Sequence, residues 1–395
     1  MKSHKVLLAA LAIAAATSAF AVELNFGGDL GFYLFDVSMG NGILPSRDSM
    51  GNGIGTPYPD TTGRINMTFE SHGLGLYWNV QLSEKVSVSA LTEVGGTTTS
   101  ATPRLGKKLG TQQGEAGTQK ALSVPEAYIQ VMLPWDLQLS TGIIRPLFSE
   151  DYGAKKGYQE ANRLFKSSAN AYGGEWHDLG FELYKAFEPG GNISIPTYLY
   201  LLAGEEMYGD NNSNKTVLVH VAPEFWKLRV LGSYAFGKYD AENEKAFTRY
   251  AAGLGGEFGN FWFRGEYFGG TWDGVTAYNQ NGAAIDTITF TRKPIAYYVK
   301  AGYNFIPDKL GLVLTYDQSS PDWTTRGMLG YTSNASGVTT DAGESYTTLG
   351  ATLQYWVIPG SSILVEYNRG MWKVGDGTLN KLDFNRVTIG WRTVF

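Results

Sequence analysis

DFNRVTIGWRTVF, residues 383–395, alternates from Asn385 onward: Val387, Ile389, Trp391 and Phe395 fall on one face, and Arg386, Thr388, Gly390 and Arg392 on the other. Successive side chains of a strand point to opposite faces, so this is a strand with one apolar and one polar side. The split recurs upstream. Tyr297, Val299, Ala301, Tyr303 and Phe305 oppose Lys300, Gly302 and Asn304. Leu349, Ala351, Leu353 and Tyr355 oppose Thr348, Gly350, Thr352 and Gln354. Leu310, Leu312, Leu314 and Tyr316 oppose Gly311, Thr315 and Asp317, with Val313 out of pattern.

Extended along the chain, this reading gives strands at 23–36, 64–82, 85–94, 121–133, 135–144, 179–187, 195–204, 215–222, 228–236, 248–258, 261–270, 294–305, 309–317, 344–356, 362–371 and 383–395, sixteen in all. Most approach the ~9–11 residues of a tilted membrane strand, against about 5–6 for a soluble one. Short turns such as Ser83-Glu84, Gly259-Asn260 and Ile306-Pro307-Asp308 alternate with longer loops at 37–63, 95–120, 145–178, 205–214, 237–247, 271–293, 318–343 and 372–382. That sorting predicts an all-β fold, a transmembrane antiparallel up-and-down β-barrel of about 16 strands in outer-membrane lipid. An even count lets the first and last strands pair. Closure is required, because each unpaired backbone N–H or C=O in hydrocarbon costs several kcal/mol. Tyr250 with Phe258, and Tyr297 with Phe305, set aromatics at both ends of a strand, as interface girdles do.

Lys2, Lys5, the apolar run 6–16 and Ala19-Phe20-Ala21 form a secretory leader, residues 1–21, expected to be cleaved after Ala21. Residues 22–395 are then a single barrel whose destination is the bacterial outer membrane. Leu24 begins a strand almost at once, so no plug is expected ahead of the barrel. No later window approaches ~18 consecutive apolar residues, so no transmembrane helix is expected. Cysteine is absent, which excludes disulfides and thiolate metal sites. Lys and Arg number 32 against 37 Asp and Glu, which argues against nucleic acid as a partner. No cofactor is implied.

A closed sheet of about 16 strands leaves an aqueous channel. The expected function is therefore a porin passing small hydrophilic solutes or inorganic ions by diffusion. Loop 145–178 carries Arg145, Glu150, Asp151, Lys155, Lys156, Glu160, Arg163, Lys166, Glu175 and Asp178. Folded inward, charges of both signs would set a transverse field at a constriction; left outside, they would be an ordinary solvated loop. Arg264, Lys300, Arg386 and Arg392 form a second basic group on the lumen face, with Glu257, Glu266 and Glu366 among them.

VPEAYIQVMLPWDLQLSTGIIRPLFSEDY, residues 124–152, resembles a hairpin of the phosphate-selective (O and P type) porins. Ala127-Tyr128 match the family's strand start, and Gly142, Arg145, Pro146 and Phe148 its "G-x-x-K/R-P-x-F" ending. Trp176 to Gly180 is similar to the strand that follows that family's constriction loop. The resemblance implies a sixteen-strand homotrimer with its third loop in the pore. Phosphate-selecting members line the channel with Arg and Lys, whereas loop 145–178 mixes signs almost evenly. The aromatic Phe395 resembles the C-terminal residue by which the barrel-assembly machinery recognises its clients.

Two rival classes are a barrel hydrolase and a non-conducting surface or structural barrel. The first needs a histidine with a carboxylate or hydroxyl partner, and only His177-Asp178 sits near a rim. The second would place function in the Gly- and Ser-rich loops 37–63 and 318–343, which carry no binding motif.

Overall fold

The computed structural model describes residues 23–47, 53–57, 65–66, 70–94, 123–149, 177–204, 213–238, 245–278, 284–320, 344–374 and 380–394. The leader 1–21, the terminal Phe395 and most loop residues, 150–176 included, lie outside them. Sixteen long strands make the wall: β1 (Glu23–Arg47), β2 (Glu70–Ser83), β3 (Val86–Val94), β4 (Ser123–Leu133), β5 (Leu137–Ile144), β6 (Asp178–Gly190), β7 (Ile193–Leu202), β8 (Thr216–Val221), β9 (Leu228–Lys238), β10 (Ala246–Phe258), β11 (Phe261–Tyr278), β12 (Ile295–Ile306), β13 (Leu310–Ser320), β14 (Glu344–Ile358), β15 (Ser361–Val374) and β16 (Asn380–Val394). Each pairs antiparallel with the next in sequence. β16 pairs antiparallel with β1 from Asp29↔Val394 to Gly42↔Leu382, so the sheet closes on itself.

Burial follows the alternation, with the usual polarities exchanged. Large exposed side chains are apolar: Leu199 and Leu201, Val230, Tyr234 and Phe236, Leu314, Leu353 and Tyr355. Buried ones include Glu182, Glu266, Lys300, Asp317, Glu366 and Asn368. A soluble sandwich would put the first set inside, and burying these charges in a dry core would cost several kcal/mol each. The closed sheet turns its apolar side outward, as a barrel in lipid must. Val313 does face inward, where it is buried. Tyr250, Phe258 and Phe305 are exposed on the outer face, as girdle residues are. At the turn after β4, Trp135 and Asp136 both adopt positive φ (64° and 58°), the mirror-type geometry that matches strand twist. Trp135 there is 83% exposed.

Two expected loops are partly strand. β1 continues to Arg47, and Gly53–Pro57 folds back on its end. β11 runs to Tyr278 and pairs with Ala284–Arg292, extending a hairpin past the wall. The expected strand 64–82 is instead Ile65–Asn66, which pairs with β1, and then β2. Beyond the bilayer both faces of a hairpin meet water, so nothing forces the alternation by which strands are recognised.

Candidate functional site: the inner wall and the inward turn

The chain leaves β5 through Gly142, Arg145, Pro146 and Phe148, the residues of the resemblance, and the structure shows why three of them are needed there. Gly142 (φ 137°) pairs with Tyr128, and a Cβ there would collide with the Ala127 carbonyl oxygen and lie 2.8 Å from Tyr128 Cα. The two halves of the motif therefore meet in register. Arg145 is only 3% exposed; its Nε lies 3.0 Å from Glu126 Oε1 and donates to His177 Nε2 at 3.1 Å. This first charge of the loop is thus neutralised at the loop's stem.

Beyond Arg145 the backbone turns onto the inner wall. The Leu147 amide donates to the Tyr200 hydroxyl of β7 (3.1 Å), and Ser233 Oγ of β9 donates to the Phe148 carbonyl. The Phe148 ring lies 6.4 Å from that of Phe268 on β11. Ile144, Phe148, Tyr200, Leu202, Leu218, Ala235, Ala251, Phe268, Ala296 and Tyr298 form one buried cluster. On β7 to β12 the inner wall thus carries an apolar seat in place of the uniformly polar lining that alternation suggests. Ser233 Oγ also lies 2.7 Å from His220 Nδ1, so the histidine supports the residue that holds Phe148.

The basic group is ordered by register. Arg229 pairs with Gly255, Gly255 with Arg264, Arg264 with Lys300, Lys300 with Thr315, Thr315 with Gly350, Gly350 with Asn368, and Asn368 with Arg386. One row across the strands from β9 to β16 therefore holds four basic residues and no acid. Arg264 is half-buried, while Lys300 is buried with its ammonium 4.7 Å from the Tyr298 ring centroid. Acids occupy the rows on either side. Toward the long loops, Glu266 pairs with Tyr298 and Tyr298 with Asp317. Toward the short turns, the row from Glu257 and Trp262 runs through Thr352 and Glu366 to Thr388. Facing like charges such as Arg264 and Lys300 are destabilising by about 0.2–1 kcal/mol, and the flanking carboxylates offset this. Tyr298 donates to Glu266 Oε1, and Thr352 Oγ1 to Glu366 Oε2 at 3.3 Å. Arg229 lies 3.5 Å from Glu224.

Of the residues singled out in the sequence, Arg264 and Lys300 are brought together and Arg386 shares their row; the side chains of Arg386 and Arg392 lie outside the described residues. So do Glu150, Asp151, Lys155, Lys156, Glu160, Arg163, Lys166 and Glu175. Arg229 was not singled out, and Asp317 was placed on the polar face without a role, although both occupy inward positions of strands whose alternation is readable. His177 accepts from Arg145, and Asp178 Oδ2 accepts from the Gly204 amide at 2.9 Å. Among the described residues no group of three His, Asp or Glu is placed to hold a metal ion.

Solved structures match this barrel over nearly its whole length. OmpT of Vibrio cholerae, in its trimer form, covers 95% of this chain and 99% of its own at 12% identity, with a TM-score of 0.56. The fold is that of an outer-membrane porin. The outer-membrane channel DcaP of Acinetobacter baumannii matches 95% of this chain and 97% of its own, with 14% identity and a TM-score of 0.55. An anion-selective porin from Comamonas acidovorans matches 95% and 100%, with 13% identity and a TM-score of 0.53. At these identities the architecture is what is shared. No protein-family model matches the chain, and no curated relative matches its sequence.

Proposed function

We propose that this porin-fold barrel is a passive, water-filled channel for small hydrophilic solutes or inorganic ions, and not an enzyme. On this reading residues 1–21 are a cleaved leader, and residues 22–395 are inserted into the outer membrane by the barrel-assembly machinery as a homotrimer. The observation that carries the reading is the exchange of polarity across a closed sheet, with Leu, Val and Tyr outside and Arg, Lys, Glu and Asp inside. A wall with that lining has water as its natural filling.

Loop 145–178 is the proposed constriction. Its first residues already run on the inner wall, and Glu150, Asp151, Lys155, Lys156, Arg163 and Lys166 would follow them into the lumen. Arg145 acts at the stem, paired with Glu126, and lines the channel only by holding the loop. The row Arg229, Arg264, Lys300 and Arg386 supplies an anion preference. The channel is not confined to phosphate on this reading: the motif that resembles one of the phosphate-selective porins builds the inward turn, and carboxylate rows flank the basic one.

Purified protein in a planar bilayer, with unequal KCl across it, tests the reading. Stable steps of conductance are expected, with a reversal potential on the anion side. Arg264→Gln with Lys300→Gln should move that potential toward cations, and Lys155→Glu with Lys156→Glu should move it the same way. Absence of any conductance from correctly folded barrel would overturn the channel. An unmoved potential in the second pair would remove loop 145–178 from the pore.

A further inference from the structure

Two tryptophans point into the lumen, where neither the girdle nor the channel reading needs them. Trp262 on β11 lies between the outward Phe261 and Phe263, and Trp356 on β14 follows the outward Tyr355; both indoles are half-buried. Each packs over a glycine of a neighbouring strand. A Cβ built on Gly302 would fall inside the indole of Trp262, and one built on Gly311 would lie 3.3 Å from Trp356 Cη2 and Cζ3. Glycine leaves room for an indole close to the wall, and both indoles keep part of their surface open to the lumen.

Hydrogen-bonding groups surround these plates. Glu257, the exposed register partner of Trp262, stands on one side. Asn304 lies between the two indoles, its Oδ1 2.7 Å from the position a Gly311 Cβ would take. Gln354 is the register partner of Gly311, and its amide donates to Ser362 Oγ at 3.0 Å. Arg264 is two residues from Trp262 on the same face, and Lys300 two from Gly302.

We propose that Trp262 and Trp356 form a carbohydrate subsite at the short-turn end of the lumen, binding a pyranose ring by its apolar face while Glu257 and Asn304 take its hydroxyls. The proposal rests on the channel reading and adds a solute class to it. A pyranose has both features the wall asks for, a flat C–H face and a rim of hydroxyls. Aromatic faces with a carboxylate nearby also attract organic cations, but Arg264 and Lys300 one row away set a positive field against them. A neutral polyhydroxylated ring is the solute that both rows tolerate.

The test uses maltotriose as probe, with choline and a polyethylene glycol of similar mass as controls, on bilayer-reconstituted full-length barrel. Maltotriose is expected to interrupt the current reversibly, with binding at least tenfold weaker in Trp262→Ala and in Trp356→Ala. Gly302→Ala, which lifts the indole without removing it, should weaken it as well. Tryptophan fluorescence of detergent-solubilised barrel reads binding without any current: a maltotriose-dependent shift lost in Trp262→Phe with Trp356→Phe supports the subsite even in a barrel that does not conduct. Equal block by the polyethylene glycol, block by choline alone, or block and shift unchanged in both tryptophan variants would each overturn it. The heat-dependent gel mobility of folded barrels confirms that every variant has assembled before it is scored.

Discussion

Val299 offers a direct test of which side of the wall meets lipid. It lies on the outer face of β12, where it is 53% exposed. The outward residues from Ile295 to Phe305 span roughly 26 Å of the barrel axis, taking about 3.4 Å per residue and a strand tilt of about 40°. That matches the ~25 Å apolar band of outer-membrane barrels. Val299 then lies about 10 Å from one edge and about 16 Å from the other, within about 3 Å of the midplane. Arginine costs about 2–4 kcal/mol at the midplane and about 0–1 near an interface. Val299→Arg should therefore destabilise the barrel by about 3 kcal/mol, or about 150-fold in the folding equilibrium. Ile306→Arg, at the turn end of the same strand, should cost less than about 1 kcal/mol. Urea titration of the barrel refolded into lipid vesicles, followed by tryptophan fluorescence, measures both. Equal costs at the two depths would mean that this face is not in hydrocarbon, and the orientation of the whole sheet would be wrong.

Gly142→Ala should destabilise the barrel by about 3 kcal/mol or more in the same titration, since it forces a side chain into a left-handed backbone and against the Ala127 carbonyl; a loss below about 1 kcal/mol would mean that the strands around Gly142 adapt easily. Phe148→Ala removes about 3–5 kcal/mol of packing from the inward segment. Local detachment of that segment is expected to absorb the loss, so urea stability should stay near wild type while single-channel conductance and open-state noise rise; Ser233→Ala should do the same more weakly, and unchanged conductance in both would mean the segment does not shape the pore.

How far the sequence could be read depended on what each residue answers to. Where one side of a strand meets lipid and the other carries polar lining, as on β13 to β16, alternation locates both the strand and its faces. β7 and β8 are less transparent: Tyr200, Leu202 and Leu218 face inward yet are apolar, because they seat Phe148 and its neighbours. Two-sided apolar runs such as YLYLL at 198–202 announce a strand without saying which face is which. The charge of Arg145 was legible and its partner was not. Glu126 and His177 reach it through strand pairing and the inward turn, which no local pattern encodes. Individual basic residues such as Arg264, Lys300 and Arg386 could likewise be placed on the inner face by alternation, but their alignment in one row depends on the lengths of the turns between strands. Arg229 belongs to that row for the same reason and shows nothing distinctive in its own segment.

The row also has a consequence set by tilt. Register partners lie perpendicular to the strands, about 4.8 Å apart from one strand to the next. With strands tilted by about 40°, such a row climbs about 3 Å of barrel axis per strand. From Arg229 on β9 to Arg386 on β16 it therefore rises by about 20 Å, most of the depth of the apolar band. The positions of the basic residues wind along the wall instead of meeting in a ring at one depth. A ring would concentrate selection at a single barrier, so that losing one member would change permeation sharply. A winding row spreads selection over several depths. On the proposed anion preference, an anion leaving Arg264 has Lys300 beside it, and the carboxylates in the flanking rows keep either from holding it tightly. Neutralising Arg264 and Lys300 one at a time should then shift the reversal potential in small, roughly additive steps. A single substitution that abolished anion preference outright would show that one depth in the pore does all the selecting.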